Sequence, residues 1–120
     1  MKKFDIHDRI FDFVIEVLKN VKYVPLSLEN KIITNQLVRA VTSVGANDQE
    51  ADGVSSKADF IHCHTIVRKE LKETRYWLLI LSELNSSLKL RLNKLVIENQ
   101  ELIKIVSSII KNAALNIKRK

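Results

Sequence analysis

Residues 36–50 read QLVRAVTSVGANDQE, and this stretch decides the fold. Its polar side chains recur at steps of three or four residues, so they fall on one stripe of an α-helix. They are Gln36, Arg39, Ser43, Asn47 and Glu50. A neighbouring stripe with the same spacing is apolar and consists of Ile33, Leu37, Ala40, Val41 and Val44. The pattern predicts a helix with one face for a core and a second face for polar contacts.

A second stretch, residues 69–78 (KELKETRYWL), offers groups complementary to that polar face. Its carboxylates, Glu70 and Glu73, suit the guanidinium fork of Arg39. We expect a buried or interfacial polar network of Arg39, Asn47, Glu50, Glu70 and Glu73. Such a network can fix the helix register, belong to a subunit interface or bind a ligand. Tyr76 and Trp77 fit core or interface anchors, although aromatic rings also stack on nucleic-acid bases.

Composition narrows the fold class and the compartment. The chain has 120 residues with only two glycines and one proline, which favours a few long helices in one domain, residues 1–120, over a many-stranded sheet. A single cysteine makes no internal disulfide, so we expect a reducing, cytoplasmic setting. The longest strictly apolar run, residues 76–81, is too short to cross a bilayer, and no membrane partner is expected.

Helix start and stop signals divide the chain into four segments. The first helix is expected over residues 5–22, and the second from the cap residue Ser27 to about Asp52. We expect Gly53 to end it in the left-handed conformation, and Ser56 to cap a third helix that reaches about residue 85. The fourth helix covers residues 88–118. Short connections between four helices predict an all-α, up-down-up-down antiparallel four-helix bundle.

The third and fourth helices carry the remaining apolar stripes. On the third, the core residues are expected to be Phe60, Val67, Leu71, Leu78 and Leu81. On the fourth, two adjacent columns are expected to face the core, formed by Leu95, Val96, Leu102, Ile103, Ile109, Ile110 and Ile117. Ile97, Ile105 and Leu115 lie outside both columns. This excess apolar surface predicts a subunit interface.

Charge is distributed unevenly along the chain. Residues 1–84 hold 12 basic and 12 acidic residues, whereas residues 85–120 hold eight basic and two acidic residues, so the whole net charge of +6 lies in the last segment. A basic helix attracts polyanions, which makes nucleic acid, either rRNA or DNA, a candidate partner. The residues expected to bind it are Lys104, Lys111, Lys118, Arg119 and Lys120. The alternative is a solvated helix face that promotes solubility.

No metal or catalytic motif emerges from the spacing. A di-metal carboxylate bundle needs Glu-x-x-His pairs, but Glu70 is followed at that spacing by Glu73, and Glu73 by Tyr76. Neighbours on a helix point about 100° apart, so His62 and His64 face nearly opposite ways and Cys63 is expected to pack in the core. We therefore expect no metal, no cofactor and no enzymatic activity.

Two blocks resemble a known family. Residues 36–51 are similar to the second-helix signature of a bacterial four-helix-bundle family that includes proteins encoded in 23S rRNA intervening sequences. Residues 59–61 and 69–78 resemble its third-helix signature, and residues 101–111 its fourth helix. Asp48 departs from this pattern, because relatives commonly carry an aromatic or aliphatic residue there. The less aliphatic stretch 62–64 departs as well.

The resemblance implies a homo-oligomer, with a pentamer of bundles as the expected state. It brings no catalytic activity, no cofactor and no small-molecule substrate, and it leaves the molecular role open. A related branch, the accessory proteins of diversity-generating retroelements, is similar in fold. That likeness supports an alternative function, a nucleic-acid-binding accessory factor that acts through the basic fourth helix and tail.

Overall fold

Four α-helices make up most of the part of the chain that the structure describes. The computed structural model describes the backbone of residues 5–119 and the side chains of residues 5–116. The helices are α1 (Ile6–Asn20), α2 (Leu28–Gly53), α3 (Lys57–Leu84) and α4 (Lys89–Arg119). No strand occurs within residues 5–119. The predicted all-α four-helix bundle is confirmed.

Each helix packs against the next one along the chain, and α1 also packs against α4, which closes the bundle. The connections are short, so consecutive helices run antiparallel. With 15 residues, α1 is much shorter than α4, which has 31. Because Arg9, near the start of α1, pairs with Glu98 of α4, the later turns of α4 extend beyond α1 alongside α3. None of the described helices has the length and hydropathy needed to cross a membrane.

The predicted helix starts are confirmed by their caps. The Ser27 hydroxyl accepts a hydrogen bond from Asn30 N at 3.1 Å, and the Ser56 hydroxyl accepts one from Asp59 N at 3.0 Å. At the start of α1, Asp5 accepts from the backbone N–H of His7 at 2.9 Å. Each side chain satisfies a backbone donor that has no partner within its own helix.

The prediction that Gly53 adopts a left-handed conformation is wrong. No glycine within the described residues has a positive φ, and Gly53 is the last residue of α2. The chain leaves the helix through Val54, whose φ of −79° and ψ of 151° are extended. Ser56, directly before α3, is extended as well, and no described residue of the connection has a positive φ.

The core contains most of the apolar stripes that the sequence predicts, together with Leu92 and Val106 of α4, which the prediction did not include. On α2, Leu37, Ala40, Val41 and Val44 are buried and Ile33 is half-buried. On α3, Val67, Leu71, Leu78 and Leu81 have no solvent exposure, and Phe60 is half-buried. On α4, Leu95, Val96 and Leu102 are buried, and Ile103, Ile109 and Ile110 are half-buried. The side chain of Ile117 lies outside the described residues. Ile97 and Leu115 are exposed as predicted, whereas Ile105 is half-buried.

Two asparagines fasten one end of the bundle. The amide nitrogen of Asn30 donates to Asn85 Oδ1 at 2.9 Å, and the amide nitrogen of Asn85 donates to Asn30 Oδ1 at 3.0 Å. Asn30 also donates to the Pro25 carbonyl at 3.0 Å. This reciprocal pair joins the first turn of α2 to the residue that follows α3.

Candidate functional site

A polar cluster on the outer surface of α2 and α3 has Arg39 at its centre. The Arg39 guanidinium pairs with the Glu73 carboxylate and lies 3.6 Å from a carboxylate oxygen of Glu70. Arg39 Nε donates to Gln36 Oε1 at 3.1 Å, and Trp77 Nε1 donates to Glu73 at 3.1 Å. The cluster therefore joins four of the nine predicted network and interface residues to Arg39, directly or through Glu73.

Burial within this cluster is uneven. The Arg39 side chain is 48% exposed, whereas the Glu70 side chain is only 11% exposed. Glu70 Oε1 is buried and accepts no hydrogen bond from a described residue, so Arg39 supplies its nearest positive charge. A carboxylate in this position depends on that charge, because burial without one is costly.

The predicted network is smaller in the structure than in the sequence analysis. Asn47 donates to the carbonyl of Ser43 at 2.9 Å and to its hydroxyl at 3.2 Å, so these two residues bond along α2. Glu50 is exposed and is not part of the cluster. Because α3 runs antiparallel to α2, Glu70 and Glu73 lie level with Arg39, and the later residues of α2 lie beside the first half of α3.

Exposed aromatic and aliphatic side chains flank the cluster. Tyr76 is 57% exposed, and its ring meets that of Trp77 edge-on at a centroid distance of 5.0 Å. Ile32, on the adjacent turns of α2, is also 57% exposed. Together with the Arg39 cluster, these side chains form one surface, which we call the α2–α3 face.

Sequence reasoning missed a second polar contact, between α1 and α2. Asp48 is 1% exposed, and both of its carboxylate oxygens lie 2.9 Å from His7 Nδ1. Burial by itself lowers the pKa of His7, but the hydrogen bond and charge of Asp48, with smaller effects of Asp5 and Asp52, raise it overall above 6.5. The pair accounts for a charged residue at this buried position of α2. His7 lies 41 residues away, so no local spacing reveals it.

The basic residues of α4 whose side chains the structure describes lie on the surface. Lys104 and Lys111 are exposed, and the side chains of Lys118, Arg119 and Lys120 lie outside the described residues. Lys104 lines an open groove of about 480 Å³ between α3 and α4. Lys72 and Arg75 of α3 line the same groove, although the residues predicted to bind nucleic acid all lie in the fourth helix and tail. The structure thus adds two basic residues on the α3 wall, whereas Lys104 on the α4 wall lies 3.7 Å from Glu101.

The histidine and cysteine side chains do not converge. Cys63 is buried as expected, His62 is exposed, and His64 is buried with its ring 4.3 Å from that of Phe60. His64 Nδ1 is bonded to the Phe60 carbonyl at 3.0 Å. Among the residues described, no group of three or more His, Cys, Asp or Glu side chains is placed to hold a metal ion.

Comparison with known proteins relates this bundle to one family. A crystal structure of a protein of unknown function from the S23 ribosomal protein family of Bacteroides thetaiotaomicron superposes with a TM-score of 0.81. The two sequences are 30% identical, and the match covers 89% of this chain and 99% of that one. No curated protein matches the chain. The sequence model of the 23S rRNA-intervening sequence proteins matches residues 2–108. With nearly the whole chain covered and the same bundle in a solved relative, the protein belongs to the 23S rRNA-intervening sequence protein family.

Proposed function

We propose that this protein is a non-enzymatic subunit of a homo-oligomer, and that the oligomer is the pentamer that the family resemblance implies. The observation that carries the proposal is the α2–α3 face. There, an arginine–carboxylate cluster lies on the same surface as the exposed side chains of Ile32 and Tyr76. Trp, Tyr and Arg dominate the binding energy of protein interfaces, and this face presents one of each.

The polar cluster is already ordered before any subunit covers it. Arg39 is half exposed in the single chain, so water screens its attraction to Glu73. A neighbouring subunit would exclude that water, which strengthens the attraction but also removes the hydration of both charges. Their hydrogen bonds within the chain are already formed, so little ordering cost remains on association.

Sedimentation velocity at micromolar concentration tests the proposal. We expect the wild-type protein to sediment as about five subunits. A double variant, Ile32→Ser with Tyr76→Ser, removes one aliphatic and one aromatic contact and should raise the concentration needed for assembly by at least about tenfold. The matched control is Phe11→Ser with Leu90→Ser, at residues 60% and 84% exposed outside this face. A monomeric wild-type protein, or equal loss in both double variants, would contradict the proposal.

A second candidate function is nucleic-acid binding, as in an accessory factor. The observation that favours it is the concentration of the whole +6 charge in residues 85–120, with Lys104 and Lys111 exposed on α4. In a pentamer this charge would repeat five times. A gel shift with single-stranded RNA and duplex DNA at about 50 mM salt tests it. Salt-sensitive complexes are expected, and the absence of any complex would leave the scaffold function alone.

A further inference from the structure

The groove between α3 and α4 carries an excess of positive charge, which comes from its α3 wall. Lys72 and Arg75 project from α3, and Lys104 projects from α4. The other residues that line it are Ile97, Gln100, Glu101 and Ile103. Three positive charges and one negative charge thus share one concave surface, where the low-dielectric walls strengthen the local potential.

Arg75 provides the most specific indication of a ligand. Its Nε is buried, and no described residue accepts a hydrogen bond from it. Buried donors are almost always paired, so we expect the Arg75 guanidinium to turn toward an acceptor that enters the groove. Two adjacent N–H groups of a guanidinium match two oxygens of a phosphate, a geometry that lysine lacks.

The positive surface continues along both helices. One turn before Lys72, Arg68 reaches across to α4 and donates to the Ser107 hydroxyl at 3.4 Å. On α4, exposed Lys111 lies two turns after Lys104 and therefore on the same side of the helix. At about 1.5 Å per residue, each wall carries basic side chains over roughly 10 Å, enough to meet more than one phosphate of an extended strand.

We propose that this groove binds the phosphodiester backbone of a nucleic acid, with Lys72, Arg75 and Lys104 contacting the phosphates. The proposal deepens the second candidate function above and rests on it. None of the residues that line the groove is aromatic, so contacts fall on phosphate and binding tolerates any sequence. Glu101 lies 3.7 Å from Lys104 and weakens binding, because its carboxylate repels phosphate.

The groove and the Arg39 cluster lie on different sides of α3, and exposed Tyr76, four residues after Lys72, lies on the outer surface between them. Glu70, Glu73 and Trp77 face α2, whereas Lys72 and Arg75 line the groove toward α4. Both activities can be measured in the same full-length protein, association by sedimentation and nucleic-acid binding by anisotropy, so the loss of one can be told apart from the loss of the other.

Fluorescence anisotropy with labelled uridine and thymidine homopolymers of about 16 nucleotides tests the groove. The groove variant is Lys72→Gln, Arg75→Gln and Lys104→Gln. The control is Lys19→Gln, Lys31→Gln and Lys94→Gln, three exposed lysines outside the groove. Both lower the formal net charge from +6 to +3, so a difference between them reports position rather than total charge. Circular dichroism confirms that each variant keeps its helix content.

We expect the groove variant to bind both homopolymers at least about tenfold more weakly than the control, with a log–log salt slope shallower by about 2. Glu101→Gln should bind more tightly than wild type, whereas Glu50→Gln, an exposed carboxylate outside the groove, should change binding less. An equal loss of affinity in the two triple variants would overturn the groove as the binding site while leaving the proposal of nucleic-acid binding intact. A wild-type protein that binds neither homopolymer at about 50 mM salt would overturn both proposals.

Discussion

His7 Nδ1 lies 2.9 Å from both carboxylate oxygens of Asp48, and this contact ties the first turn of α1 to the last turns of α2. The carboxylate is buried, whereas the imidazole is 31% exposed. Asp52 lies 3.8 Å from the other ring nitrogen and adds a second negative charge. The attachment of α1 to the bundle therefore depends on a group that titrates near neutral pH.

Stability should fall as pH rises through the pKa of His7. In the folded protein that pKa is raised above 6.5, so the protonated form is favoured by folding. Its contribution is fully present below pH 6.5 and is lost as pH rises through the higher folded value. Urea unfolding between about pH 5 and about pH 8 should show a larger loss for wild type than for His7→Gln. Parallel pH profiles for the two proteins would contradict the prediction.

Removing both members of this pair should cost less than removing one. His7→Leu leaves the Asp48 carboxylate, 1% exposed, without its cation, which costs roughly 3 to 5 kcal/mol. Adding Asp48→Leu removes that charge and supplies an apolar side chain at this buried position. The double variant should recover most of the loss in urea unfolding at neutral pH. A double variant no more stable than His7→Leu would show that the carboxylate tolerates isolation.

The Arg39 cluster should show coupling between α2 and α3. Arg39→Ala is expected to cost about 2 kcal/mol, more than a surface ion pair, because it leaves the buried Glu70 carboxylate alone. Glu70→Gln in the Arg39→Ala background should recover about half of that loss. Unfolding is measured at one fixed protein concentration, because association shifts apparent stability. Lys31→Ala, at an exposed position, serves as the control, and additive effects in the cycle would exclude coupling.

Asn99 should be replaceable by leucine with a gain in stability. It is fully buried on α4 and donates to the Leu71 carbonyl at 2.9 Å, but its Oδ1 accepts no hydrogen bond from a described residue. Asn99→Leu removes that unsatisfied acceptor and should add about 1 kcal/mol in urea unfolding. Asn99→Asp, which buries a charge, should be strongly destabilising. A leucine variant less stable than wild type would show that the Leu71 contact outweighs the unpaired oxygen.

Gly45 lies within α2, where alanine should stabilise the helix. A Cβ built at this position meets Val14 Cγ2 at 3.4 Å, an ordinary van der Waals contact. Gly45→Ala should therefore add about 0.5 to 1 kcal/mol, since alanine loses less backbone entropy on folding. The thermal midpoint should rise accordingly. Gly45→Leu, whose side chain would press on Val14, should lower the thermal midpoint. A lower midpoint for Gly45→Ala as well would contradict the prediction and mean that α1 cannot move to accommodate the added methyl group.

Short-range signals in the sequence were sufficient to predict where α2 and α3 begin. The hydroxyls of Ser27 and Ser56 each bond to a backbone N–H three residues later, a relation contained in a short stretch of sequence. The contact between His7 and Asp48 could not be predicted in this way, because it depends on which turn of α1 lies beside α2. The pairing of Arg39 with Glu70 and Glu73 could be predicted because a guanidinium pairs with carboxylates. That Glu50 lies outside the Arg39 cluster could not be predicted, because it depends on the antiparallel register of α2 and α3.

The α3 wall of the groove was hidden for a different reason. Residues 1–84 carry no net charge, so a count along the chain gives no sign of a basic surface there. Helical geometry sorts the charges that alternate in sequence: Glu70 and Glu73 face α2, whereas Lys72 and Arg75 line the groove toward α4. A neutral segment can therefore present a strongly basic side. Sequence totals miss this separation because they ignore direction around the helix axis.

The reciprocal amide pair of Asn30 and Asn85 makes the two ends of the bundle respond differently to solution conditions. Neither amide titrates, so this end keeps its hydrogen bonds at any pH that the fold survives. The opposite end, where α1 begins, is held by a histidine and loosens as that histidine loses its proton. Opening at alkaline pH should therefore be directional. Amide hydrogen exchange would accelerate first in the early turns of α1 and last beside the two asparagines.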